Sequence, residues 1–147
     1  MQKLAAIALL VGLGWISPAK AQSAQPKAAS FGLCADQMLM MLAAPRQITS
    51  LSAQATGPLS AYAKQAKRYP ANRGSAEEVI ASGAKLLLQS DAVSQQSAAA
   101  LHSFGVKVVK IPFANSWAEV DSMVRLIARE LGQVQRGEAV IRDMHQR

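Results

Sequence analysis

Residues 85–112, KLLLQSDAVSQQSAAALHSFGVKVVKIP, hold two short apolar runs on either side of one helical segment. Leu86 to Leu88 and Val106 to Ile111 lack the polar alternation of a strand with one wet face, and fit strands buried on both sides. Between them, Ser94 to Ser103 has helical composition and is closed by Gly105. A strand, a helix and a second strand at this spacing form a βαβ unit, which sets the two strands parallel.

The same alternation extends in both directions. Upstream, Ser75 and Glu78 make a capping box for a helix that ends at Gly83, and Lys85 to Gln89 is the strand that follows. Before it come an irregular stretch, 68–74, and a helix expected over Pro58 to Lys67, with Leu59, Tyr62, Ala63 and Ala66 on one face. Gln47 to Ser52 is a strand. A helix over Asp36 to Ala44 is stopped by Pro45, and Ser30 to Leu33 makes a short first strand, expected to fray. Downstream, Ser116 and Glu119 form a second capping box. The helix they open carries Trp117, Val120, Val124, Ile127 and Leu131 on one face. Val134, Ile141 and Met144 continue an amphipathic pattern to the terminus, a stripe that a monomer would leave partly uncovered. The expected fold is α/β: an open parallel sheet of about four strands flanked by helices, with 30–132 as one lobe and 133–147 as the start of a further helix.

The first 21 residues read as an export signal. Lys3 precedes an uncharged apolar run from Leu4 to Ile16, and Ala19-Lys20-Ala21 places small residues where a signal peptidase cleaves. That run is well short of the ~20 apolar residues a spanning helix needs. Residues 22–29 are small and polar, and are expected to form a disordered leader. Loss of Lys3 and Lys20 would lower the net charge from +7 to +5. Export, together with only 2 Trp, 2 Tyr and 3 Phe, argues against a nucleic-acid partner. The single cysteine allows no internal disulfide, so packing alone must hold the fold.

In an open parallel sheet, ligands sit outside the carboxyl ends of the strands. The loops there are 34–36, 53–58, 90–94 and 113–116, joined by the irregular stretch. They nominate Cys34, Ala35, Thr56, Gly57, Tyr69, Asn72, Arg73, Ser90, Asp91, Asn115 and Trp117 as ligand-binding residues. Helix-start amides, hydroxyls and the aromatics Tyr69, Phe113 and Trp117 suit a large ligand with both anionic and apolar surface. No catalytic constellation competes, and no enzyme activity is expected. Cys34 with His102 as base would make a small exported thiol hydrolase, but Asp36 opposes a thiolate there. His102 and His145 have no second ligand at metal spacing, and no cofactor or metal is expected. Met38, Met40 and Met41 are core filler.

At Leu33 to Gln37 (LCADQ), with the apolar helix after it and Pro45 to Ser52 (PRQITSLS), the chain resembles the periplasmic binding proteins of ABC importers for ferric siderophores, heme and cobalamin. The resemblance continues through Gly74 to Ile80, the Leu86 to Leu88 strand, Leu101 to Val108, Pro112 to Ser116 and Arg125 to Gly132. It implies two α/β lobes joined by a long helix, with a metal-chelate or tetrapyrrole ligand between them, a periplasmic location and an ABC permease as partner. Glu77 falls where the family places the acidic permease-docking residue of the first lobe. Only that lobe is matched, and the segment from Gln133 resembles the start of the connecting helix. The resemblance therefore describes a truncated form whose partner is a missing second lobe or another copy of itself, and whose isolated lobe binds ligand weakly.

Overall fold

The computed structural model describes residues 25–90 and 94–147. The expected signal, 1–21, lies outside them, as does the nominated Asp91.

Leu86, Leu87 and Leu88 lie on strand β4 (Leu86–Gln89) and are almost wholly buried. Leu86 and Leu88 point into one apolar cluster and Leu87 into another, the alternation of a strand covered on both faces. Burying each leucine is worth roughly 1.5–3 kcal/mol before conformational entropy is subtracted. Strands β1 (Ala28–Phe31) and β5 (Lys107–Lys110) flank β4. β2 (Ile48–Ser52) and β3 (Ala71–Asn72) complete a five-stranded sheet in the order β3-β2-β1-β4-β5, with every pairing parallel.

One face is covered by α1 (Leu33–Leu42), α5 (Trp117–Glu130) and α6 (Val134–Gln146), whose Leu39, Leu42, Val124, Ile127 and Ile141 share the larger cluster with the short α2 (Ala63–Ala66). The other face is covered by α3 (Ala76–Ala81) and α4 (Gln95–Ser103), through Val79 and Leu101. Gln47 locks the amino-terminal side of the sheet. Its buried amide donates to Pro26 O at 3.1 Å and Leu131 O at 2.9 Å and accepts from Ala44 N, tying three segments distant in sequence.

Several elements differ from expectation. The first strand begins at Ala28, two residues before Ser30, inside the stretch expected as leader. Ala28 and Ala29 are wholly buried and pair in register with Leu86 and Leu87. A central strand squeezed between helices on both faces favours small side chains, so tertiary packing overrides alanine's weak strand preference. Gly32, at φ 90°, then turns the chain directly into α1. A fifth strand, β3, lies in the stretch expected to be irregular. The helix expected over Pro58 to Lys67 shrinks to Ala63–Ala66 because turns take its amides. Ser60 N donates to Gly57 O, Ala61 N to Gln37 Oε1, and Tyr62 N to Ser60 Oγ. Leu59 is left 82% exposed.

Ser75 and Ser116 do accept the amides of Glu78 and Glu119, but each glutamate reaches past its cap, to Arg73 N and Asn115 N. The final helix α6 lies back along α5, antiparallel to it. Glu138 meets Arg125, His145 meets Asp121, and a Cβ on Gly137 would come within 2.5 Å of Ala128 Cβ. Ile141 is buried and Met144 packs on the core, so of the expected stripe only Val134 is substantially uncovered. No helix among the described residues is long and apolar enough to cross a membrane.

Candidate functional site at the strand tips

From β1 the chain steps to β2 and β3 on one side, then crosses back to β4 and β5 on the other. The loops leaving β1 and β4 therefore head to opposite faces of the sheet, which makes this the switch point of the fold. A cleft of about 310 Å³ opens beside that point, at the tips of β1, β2 and β3, lined by Phe31, Gly32, Ser52, Ala53, Gln54, Asn72, Arg73 and Gly74.

A buried polar network forms its base. Asp36, in the first turn of α1, accepts from Ser30 Oγ at 2.6 Å, Ser52 N at 2.8 Å and Ser52 Oγ at 2.5 Å. Asn72 donates through Nδ2 to Ser30 O and Ser50 Oγ and accepts from Gly74 N. Ser90 Oγ donates to Phe31 O and accepts from Ala35 N, closing β4 onto β1. These bonds splice four strand ends into one rigid floor. Arg73 stands exposed at the lip, and its Nε donates to Glu78 at 3.1 Å. The Arg73 amide, and then its guanidinium, hold the Glu78 carboxyl below its ordinary value. On the same side of the sheet, the loops after β2 and β5 expose Leu59, Phe113 and Trp117. Trp117 is backed by the His145 ring, with centroids 5.7 Å apart. A polar floor with one guanidinium at its lip can hold an anionic group, and the exposed apolar side chains stand outside the cleft lining, on the same side of the sheet.

The nominated residues divide accordingly. Arg73 and Asn72 line the cleft, though the side-chain bonds of Asn72 are spent on the floor. Ser90 belongs to the same floor. Cys34 is exposed in the first turn of α1, beside the cleft, while Ala35 is turned wholly into the core. Thr56 and Gly57 lie just past the cleft, in the turn after β2. Asn115 and Trp117 sit at the start of α5 on the same side, beyond β5. Tyr69 does not join them. It precedes β3 and packs with Tyr62 and Ile48 at the opposite, amino-terminal end of the strands. The thiol-hydrolase pairing also fails, because His102 is in the last turn of α4, at the amino-terminal end of β5. A four-residue strand, roughly 13 Å long, separates the two edges. No group of three metal-ligating side chains occurs among the described residues. Sequence reasoning missed Ser52, Gln54 and the floor carboxylate Asp36. Gln54 could have been found by taking the residues immediately beyond β2 rather than the middle of its loop, and Ser52 by including the last residue of the strand itself.

No family model and no curated protein matches the chain. Solved structures do. The periplasmic heme-binding protein of Pseudomonas aeruginosa superposes with TM-score 0.67 at 20% identity, over 82% of this chain and 44% of that one. The periplasmic heme-binding protein HutB of Vibrio cholerae gives 0.67 at 17%, over 84% and 48%. The periplasmic vitamin B12-binding protein BtuF of Vibrio cholerae gives 0.61 at 14%, over 83% and 48%. The chain thus has the α/β fold of one lobe of a periplasmic substrate-binding protein. It spans less than half the length of these neighbours.

Proposed function

We propose that this chain is a ligand-binding lobe of an ABC importer for iron-bearing or cobalt-bearing tetrapyrroles or ferric siderophores, acting in the periplasm. The observation that carries the reading is the cleft at the tips of β1, β2 and β3, on a fold shared with heme- and B12-binding proteins. Arg73 would pair with a ligand carboxylate, and Leu59, Phe113 and Trp117 would flank its apolar faces. Glu77, exposed in the first turn of α3, would dock a basic surface of the permease.

Titration with hemin, followed by its Soret band, tests the ligand, with cyanocobalamin and a ferric siderophore as parallel probes. One lobe encloses well under the 70–90% of ligand surface that pockets usually bury, so constants on the order of 10 μM or weaker are expected. Arg73→Ala and Trp117→Ala should each weaken the response further. Silence from all three probes would sink the ligand assignment. Glu77→Arg should leave those titrations unchanged and abolish stimulation of the permease ATPase.

A further inference from the structure

A second cleft, of about 220 Å³, lies at the opposite end of the sheet, lined by Met40, Ala43, Ile48, Tyr62, Tyr69, Arg68 and Arg136 among others. Among the described residues its lining contains two guanidinium groups and no carboxylate. Residues 37–76, which supply most of it, hold Arg46, Lys64, Lys67, Arg68 and Arg73 but no aspartate or glutamate. Among the described residues Arg68, Lys64 and Lys67 form no ion pair, so the positive potential there is not neutralised from within. Arg136 Nε donates to Met41 O at 2.8 Å, which orients its guanidinium and leaves its other N–H donors available. Tyr62 and Tyr69 are half-buried, and each brings a ring and a hydroxyl. Met40, Ala43 and Ile48 supply an apolar wall.

From this combination we infer a binding site for a small organic anion: a carboxylate held by Arg68 and Arg136, with an apolar or aryl body against Met40, Ile48 and the tyrosines. The volume is below the ~300 Å³ at which drug-sized pockets begin, which fits an aryl carboxylate and not a tetrapyrrole. The site lies across the sheet from the strand-tip crevice and is independent of what that crevice binds. An occupant would also bridge α1, the segment after α2, and α6.

The test is calorimetric and NMR titration of the full chain with benzoate, acetate and inorganic phosphate, alongside sedimentation with phosphatidylglycerol vesicles. Benzoate should bind about tenfold tighter than acetate, because only benzoate uses the apolar wall. Arg68→Ala and Arg136→Ala should each weaken benzoate about fivefold or more, with hemin titrations unchanged. Among the described residues the Arg68 side chain makes no hydrogen bond or ion pair, so its variant keeps the test valid if Arg136→Ala disturbs α6. Equal affinity for acetate and benzoate, phosphate binding as tightly as benzoate, vesicle binding without benzoate binding, or indifference to Arg68→Ala would each overturn the proposal.

Discussion

Asp36 occupies the first turn of α1, where a carboxylate on an exposed helix start would face water. Here it is 1% exposed and accepts from Ser30 and Ser52, which lie 6 and 16 residues away. Asp36→Ala would leave those donors without their acceptor in a closed space. A loss of about 3 kcal/mol is expected, read as a lower denaturant midpoint at unchanged slope. Asp36→Asn keeps the shape but turns an amide donor toward a donor, and should lie between the two. A midpoint within about 0.5 kcal/mol of wild type for Asp36→Ala would remove the network from its place as the floor of the cleft. At this scale the sequence was only partly legible. Arg73 could be nominated because it follows a strand end. Asp36 could not be nominated as buried, because its partners arrive from β1 and β2 only once the sheet is paired. Tyr69 was misplaced for a related reason: without β3 in view, nothing distinguished residues entering a strand from residues leaving it.

Among the elements, α5 and α6 were legible from their periodicity, as were β4 and β5 from their apolar runs. Two-residue β3 has no period to detect, and α2 shrank because a backbone turn and the side chains of Gln37 and Ser60 took the amides of its expected first turns. How α6 would lie was also hidden, since the decisive feature is a missing atom: Gly137 lets the two helices approach over Ala128. Arg125 and Glu138 clasp this hairpin through two bonds, of 2.8 and 3.2 Å. The guanidinium holds the Glu138 carboxyl below its ordinary value of 4.5. A carboxylate with a lowered folded value contributes stability above 4.5 and loses it as pH falls through that lowered value. Glu138→Gln should therefore melt below wild type at neutral pH, with the gap closing as the solution is acidified past that point. The pair is solvent-exposed, so the gap should also narrow in high salt. A gap that stays constant with pH would assign the difference to packing.

On the scale of the whole molecule, strand–helix alternation foretold a parallel sheet but not its order. The order decides where the crevice opens, and it follows from crossovers made after β1 and β3 that leave no local trace in the sequence. It also leaves β5 as an edge. This strand, Lys107–Lys110, exposes a lysine at each end around Val108 and Val109, and Lys107 reaches Glu130 at 2.6 Å. Lysines on an edge strand oppose pairing with another chain, because joining two edges would bring like charges together and strip their water. Replacing Lys107 and Lys110 with valine would leave six consecutive β-branched residues, from Val106 to Ile111, along an open edge. That double variant should associate in a concentration-dependent way, visible as a rising mass in light scattering at neutral pH, while the wild type keeps a constant mass over the same range. Changing Lys64 and Lys85 instead, which lie in α2 and just before β4, lowers the net charge by the same two units without baring that edge. If the control with Lys64→Val and Lys85→Val associates as readily, the lost charge and not the exposed strand is responsible, and β5 loses its part in keeping the chains apart.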